Sequence, residues 1–145
     1  MRVKSRMFAL LMLVFLLFTM CLPIVAAAEV EATVDEETQA KYQYIHSAKC
    51  DLVISGATAS ISSSVKGTYG STTNCEIELK LQKKVLFWWT TVDTWNKTAL
   101  SYQASLNATH SVESGKTYRA VAVCTVWNGS DSETATITSA SVEAP

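Results

Sequence analysis

The sequence predicts an all-β protein, a seven-stranded antiparallel β-sandwich, with a small β-barrel as the alternative way to close the same strands. Three observations carry this. From Tyr42 onward the chain is rich in Ser, Thr, Val and aromatic residues that alternate polar with apolar, the period of strands half-buried on a core. Turn residues interrupt that pattern at short intervals, at Gly56, Gly67 to Thr73, Glu113 to Gly115 and Asn128-Gly129. Helical periodicity is scarce.

Ahead of this region the chain has a different character. MRVKSR leads into an apolar run from Met7 to Leu22, broken at Pro23 and followed by Ala26-Ala27-Ala28. A basic start, an apolar stretch and small residues at the end predict a signal peptide cleaved after Ala28, and hence a secreted, extracellular protein. The run is somewhat long for a signal core and a little short for a membrane span, which makes an uncleaved anchor the alternative. Lipidation at Cys21 is disfavoured, because Met20 stands where lipoprotein signals need a small side chain. Residues 29 to 41, EVEATVDEETQAK, hold five carboxylates and no aromatic residue, and are expected to form an acidic flexible tail before a single domain at 42 to 143. Cleavage would leave nine basic residues against thirteen acidic ones, a net charge near −4. Without a Lys/Arg cluster such a chain offers no footprint for a phosphate backbone, so nucleic acid is not an expected partner.

The strands follow in order. Tyr44 to Ser55 turns through Gly56 into Ala57 to Lys66, and Gly67 to Thr73 supplies a loop. Asn74 to Gln82, NCEIELKLQ, alternates most clearly: Cys75, Ile77, Leu79 and Leu81 share one face, Glu76, Glu78, Lys80 and Gln82 the other. One face is core and one is wet. A strand over Trp89 to Asn96 comes next, then Ser101 to Val112, with Tyr102, Ala104, Leu106, Ala108, His110 and Val112 on one side. Lys116 to Trp127 and Glu133 to Val142 complete the set, joined through Asn128-Gly129, a short-hairpin signal. Seven short strands in about a hundred residues suit two packed sheets.

The stretch Lys83 to Trp88, KKVLFW, is out of place as the hairpin tip this strand order makes it. Hairpin tips carry Gly, Asn, Asp or Ser, and this one has none. Pairing that continues through it, with alternate residues packing inward, is one reading. A two-layer domain has no way to bury a strand on both faces, however, so some of Val85, Leu86, Phe87 and Trp88 are expected in solvent, where an apolar patch marks a contact surface. Alternation also puts Trp127 outward on its strand, and Trp89 or Trp95 outward or beside a bulge. The candidate binding residues are therefore Leu86, Phe87, Trp88, Trp89, Trp95 and Trp127.

In Lys116 to Gly129, KTYRAVAVCTVWNG, the spacing Tyr118, Ala120, Ala122, Cys124 after the Glu113-Ser114-Gly115 turn resembles the sixth strand of immunoglobulin-like and fibronectin-III-like domains. The chain from Tyr42 to Val142 is similar to small, uncharacterised secreted single-sandwich proteins of Gram-positive bacteria. The resemblance implies that Tyr118 forms a tyrosine corner, its ring in the core and its hydroxyl bonded to the preceding backbone. It also implies that Cys75 and Cys124 lie level on neighbouring strands, which favours a Cys75–Cys124 disulfide. Cys50 bridged to either partner across the sheets, or three buried thiols, are the alternatives. The resemblance carries no activity.

Catalytic signatures are absent. There is no G-x-S-x-G elbow, phosphate loop, H-E-x-x-H helix or calcium loop. His46 and His110 fall at strand positions and are expected to be packing or rim residues. His46 shares the alternation of Cys50, but without a close ligand pair such as C-x-x-C no metal site is expected, and no cofactor. Glu76 and Glu78 suit a solvated sheet face. Asn96, Asn107 and Asn128 begin glycosylation-type triplets that the bacterial resemblance leaves bare. The functional expectation is a secreted, noncatalytic binding module that contacts an extracellular protein or the cell envelope through its apolar tip. The alternatives are an exported toxin-like or bacteriocin-like protein that binds membrane surfaces, with Lys83 and Lys84 beside the tip, and a carbohydrate-binding module.

Overall fold

The computed structural model describes residues 42–145 and the backbone of residues 32–33. The expected signal peptide, its cleavage site after Ala28 and most of the acidic tail lie outside the described residues. The described chain is all β. Its strands are β1 (Ala32–Thr33), β2 (Ile45–Ser55), β3 (Thr58–Gly67), β4 (Asn74–Val85), β5 (Trp88–Ala99), β6 (Gln103–Ser111), β7 (Thr117–Asn128), β8 (Asp131–Thr138) and β9 (Val142–Glu143). Seven are long, and the two-residue strands β1 and β9 take the number past the seven expected. Ala32–Thr33 pairs with Lys49 and Cys50, so the stretch read as an acidic tail contributes a short edge strand to β2.

Two antiparallel sheets pack into a β-sandwich, one ordered β1-β2-β3-β6 and the other β5-β4-β7-β8, with β9 on β7. The barrel alternative fails at one seam, because β5 and β6 are the ends of separate sheets and are not hydrogen-bonded neighbours. Between the sheets lies a core drawn from alternate residues. Cys50 and Leu52, Ile61 and Val65, Ile77, Leu79 and Leu81, and Ala120, Ala122, Cys124 and Val126 are buried in it. The alternation of β4 therefore holds, with Glu76, Glu78, Lys80 and Gln82 outward, and Glu78 paired to Lys80 at 3.1 Å. Small residues on β7 let the facing sheet approach closely, and the aliphatic residues of β4 fill the space.

Two side chains tie loops to this core. Tyr118 is buried, and its hydroxyl accepts a hydrogen bond of 3.0 Å from the Glu113 backbone N–H, which pins the β6–β7 turn. Glu133 on β8 accepts three backbone N–H groups, from Gln43 (2.9 Å), Tyr44 (2.7 Å) and Ile45 (3.0 Å), and so anchors the start of β2. Burial pushes the Glu133 carboxyl up, but the three donors outweigh it and hold the group below the ordinary carboxylate range.

The expected disulfide is not formed. Cys50, Cys75 and Cys124 are free, buried thiols. On β4 and β7, Cys75 faces Val126 while Cys124 faces Ile77, so the two cysteines are diagonal rather than level. Diagonal neighbours stand about 7–8 Å apart, outside the roughly 4.4–6.8 Å between α-carbons that a disulfide spans. Cys124 instead meets the Ser63 hydroxyl of the opposite sheet at 3.8 Å, and Ser63 is the strand partner of Cys50. Burial pushes the Cys50 thiol up to about 12 and the Cys124 thiol up to about 11, and it raises Cys75 as well.

Candidate functional site

Three two-residue hairpins build the turns that matter, and they share one backbone pattern. Ser55 pairs with Thr58, Val85 with Trp88, and Asn128 with Asp131. The loops are thus Gly56-Ala57, Leu86-Phe87 and Gly129-Ser130, so the third turn sits one residue later than the Asn128-Gly129 signal suggested. In each, the first loop residue has positive φ: 56° at Gly56, 56° at Leu86 and 66° at Gly129. The second does not. Positive φ at the first position alone is the pattern of a type II′ turn, which matches strand twist and normally takes glycine there. Leu86 is the only described non-glycine residue with positive φ. A non-glycine side chain held in such a sparsely populated region costs about 1–3 kcal/mol.

The strain is not repaid by burial. Leu86 is 73% exposed, Phe87 91% and Trp88 59%, and Val85 also reaches solvent. The six-residue tip expected from the sequence is thus two residues of loop carried on strands that pair up to Val85 and Trp88. β4 runs past the last residue it pairs with on β7, since Lys83 faces Tyr118. The apolar apex stands clear of the sheet.

Behind the apex the side chains are ordered. Lys84 faces Trp89 across the hairpin, and the Arg119 guanidinium lies over the Trp89 ring at 4.3 Å. Arg119 Nε also donates to Gln82 Oε1 at 2.8 Å, which holds the stack on the outer face of the sheet. On the other side Lys83 Nζ meets Glu113 Oε1 at 2.8 Å. That hydrogen bond raises Lys83 and holds Glu113 below its ordinary range.

The tryptophans do not act as one set. Trp88 and Trp89 belong to the hairpin, whereas Trp95 faces Leu79 and packs against the core. Of the two placements expected for Trp95, outward or beside a bulge, the outward one does not occur. A register shift opposite Leu81 and Gln82 leaves Val92 as an extra residue of β5, so alternation resets and Asp93 and Trp95 turn inward. Trp127 is half-buried on the outer face at the opposite pole, where Thr73 bonds to its carbonyl. Sequence reasoning missed Arg119, whose role needs the β4–β7 register to be seen. It also missed a second exposed group at the far pole, Tyr69 and Leu100, with Tyr69 edge-on to Tyr102 at 5.1 Å.

His110 and Asp93 meet across the β5–β6 seam at 3.2 Å, beside Trp95. The three thiols are enclosed between the sheets, where burial raises each of them. His46 is exposed, and a register shift between Ile45 and Ser47 takes it off the face of Cys50; no group of metal-ligating side chains occurs among the described residues. A hollow of about 450 Å³ on the outer face of the first sheet, between Asp51, Ser60, Ser62 and Asn107, lies among strand side chains away from the apex. No family model matches the chain, and no curated protein matches it.

Proposed function

We propose that this is an exported, noncatalytic contact module that engages an extracellular protein or another component of the cell envelope through the β4–β5 apex. The observation that supports it most is Leu86. Of three hairpins with the same backbone, two place glycine at the positive-φ position, and one places leucine there beside an almost fully exposed phenylalanine. Folding alone favours glycine at Leu86 and a polar residue at Phe87, so the pair is best explained by something outside the domain. Export rests on the N-terminal pattern of charge, apolar run and small residues. The strand order β2-β3-β6 against β5-β4-β7-β8 and the buried Tyr118 support the fibronectin-III-like resemblance, which describes a scaffold and no chemistry.

Co-sedimentation with isolated Gram-positive cell envelopes tests the proposal. The protein is expected to pellet, and a Phe87→Asp, Trp88→Asp variant to stay in solution at unchanged thermal stability. Equal pelleting of both would remove the apex from the interaction.

A further inference from the structure

Resting on the reading of the apex as a contact site, we infer that its partner is the surface of an anionic lipid bilayer, entered by Leu86, Phe87 and Trp88 as a shallow wedge. Three features of the hairpin argue for a bilayer. The first is depth. Strands rise about 3.3 Å per residue, so Lys84 and Trp89 sit about 7 Å behind the loop, inside the roughly 5–10 Å to which interfacial elements enter the headgroup and acyl boundary. The second is the order of side chains along that depth. Apolar residues come first, then a ring formed by Lys84, Trp89 and Arg119, with the guanidinium stacked on the indole. Tryptophan and long cations settle at the headgroup level for the same reason: an apolar body and a polar end.

The third feature is charge. Between Tyr42 and Pro145 the chain has eight Lys and Arg and eight Asp and Glu. Four of the cations, Lys83, Lys84, Lys116 and Arg119, lie at this pole, against two carboxylates, Glu113 and Glu143. Glu113 is paired with Lys83 at 2.8 Å, and Asp93 lies further back along β5, opposite Leu81 and 3.2 Å from the His110 ring. A domain balanced overall thus presents a positive collar around an apolar apex. The apex is convex, and Ser55 to Ala57 of the neighbouring hairpin adds no charge beside it. A convex wedge with a cationic collar fits a deformable anionic surface, where each nearby Lys or Arg strengthens attachment about fivefold.

The test uses the purified protein with vesicles of phosphatidylglycerol and phosphatidylcholine, and with vesicles of phosphatidylcholine alone. Pelleting with the anionic vesicles and a blue shift of tryptophan emission are expected, both lost in a Trp88→Phe, Phe87→Ser variant. Lys84→Glu with Lys116→Glu is expected to weaken binding about tenfold or more, and high salt to do the same. Leu86→Gly keeps a variant in hand whose hairpin fits glycine, and it too should bind more weakly. No binding to either vesicle, with apex-dependent retention on cell envelopes intact, would overturn the lipid partner and leave a protein receptor for the same apex. Vesicle binding untouched by every apex variant would overturn both readings.

Discussion

The β4–β5 and β7–β8 hairpins turn with the same backbone and differ in what occupies it. Gly129-Ser130 closes one, with nothing within 4 Å of where a side chain on Gly129 would begin. Leu86-Phe87 closes the other and projects two large apolar side chains into water. The first hairpin is held to the domain just behind its turn, where Glu133 gathers the backbone of Gln43 to Ile45. The second is braced behind its apex by Arg119 on Trp89 and by Lys83 on Glu113. Glycine serves where a turn only has to turn. Leucine in the same conformation carries strain without burial, which the proposed contact surface would account for.

That contrast can be broken at the apex first. Leu79→Ala, within the fully buried face of β4, is expected to cost about 3 kcal/mol, whereas Phe87→Ala should stay within about 0.5 kcal/mol of the parent. Denaturant melts of the two variants check this. A large loss from Phe87→Ala would make the apex part of the fold, and the comparison would collapse.

On the other hairpin, Glu133→Ala should cost about 2 kcal/mol near neutral pH, since a carboxylate accepting three N–H groups is removed. The folded carboxyl lies below its ordinary value of 4.5. Its contribution is therefore complete above that value and fades as pH falls through the lower folded one. The gap between parent and variant should narrow in acid. A gap independent of pH would mean that the three hydrogen bonds do not carry the anchoring.

The smallest effect is the most specific. Leu86→Gly is expected to raise stability by about 1 kcal/mol, a gain of roughly 4 °C in Tm for a domain of this size. Gly129→Leu should lower it by a similar amount, although open space surrounds the position. If Leu86→Gly is neutral or destabilising, the leucine side chain supports the turn in some way and loses its value as a sign of function.

Much of this was legible without a structure. Alternation in NCEIELKLQ assigned Cys75, Ile77, Leu79 and Leu81 to one face, because a strand puts neighbours on opposite sides whatever lies around it. Lys83 to Trp88 stood out because turn chemistry is local, and a tip without Gly, Asn, Asp or Ser breaks a local rule. Long-range register was not legible. It set Cys75 diagonal to Cys124, inverted β5 at Val92 so that Trp95 joined the core, and brought Arg119 over Trp89.

By itself, then, the sequence determined the class of fold, the faces of its regular strands and the oddity of its apex, all of them consequences of spacing along the chain. The tertiary structure alone decided which strands meet and at what offset. Those follow from packing one sheet on another, where a single extra residue in β5 exchanges inside for outside and so selects which tryptophans reach solvent.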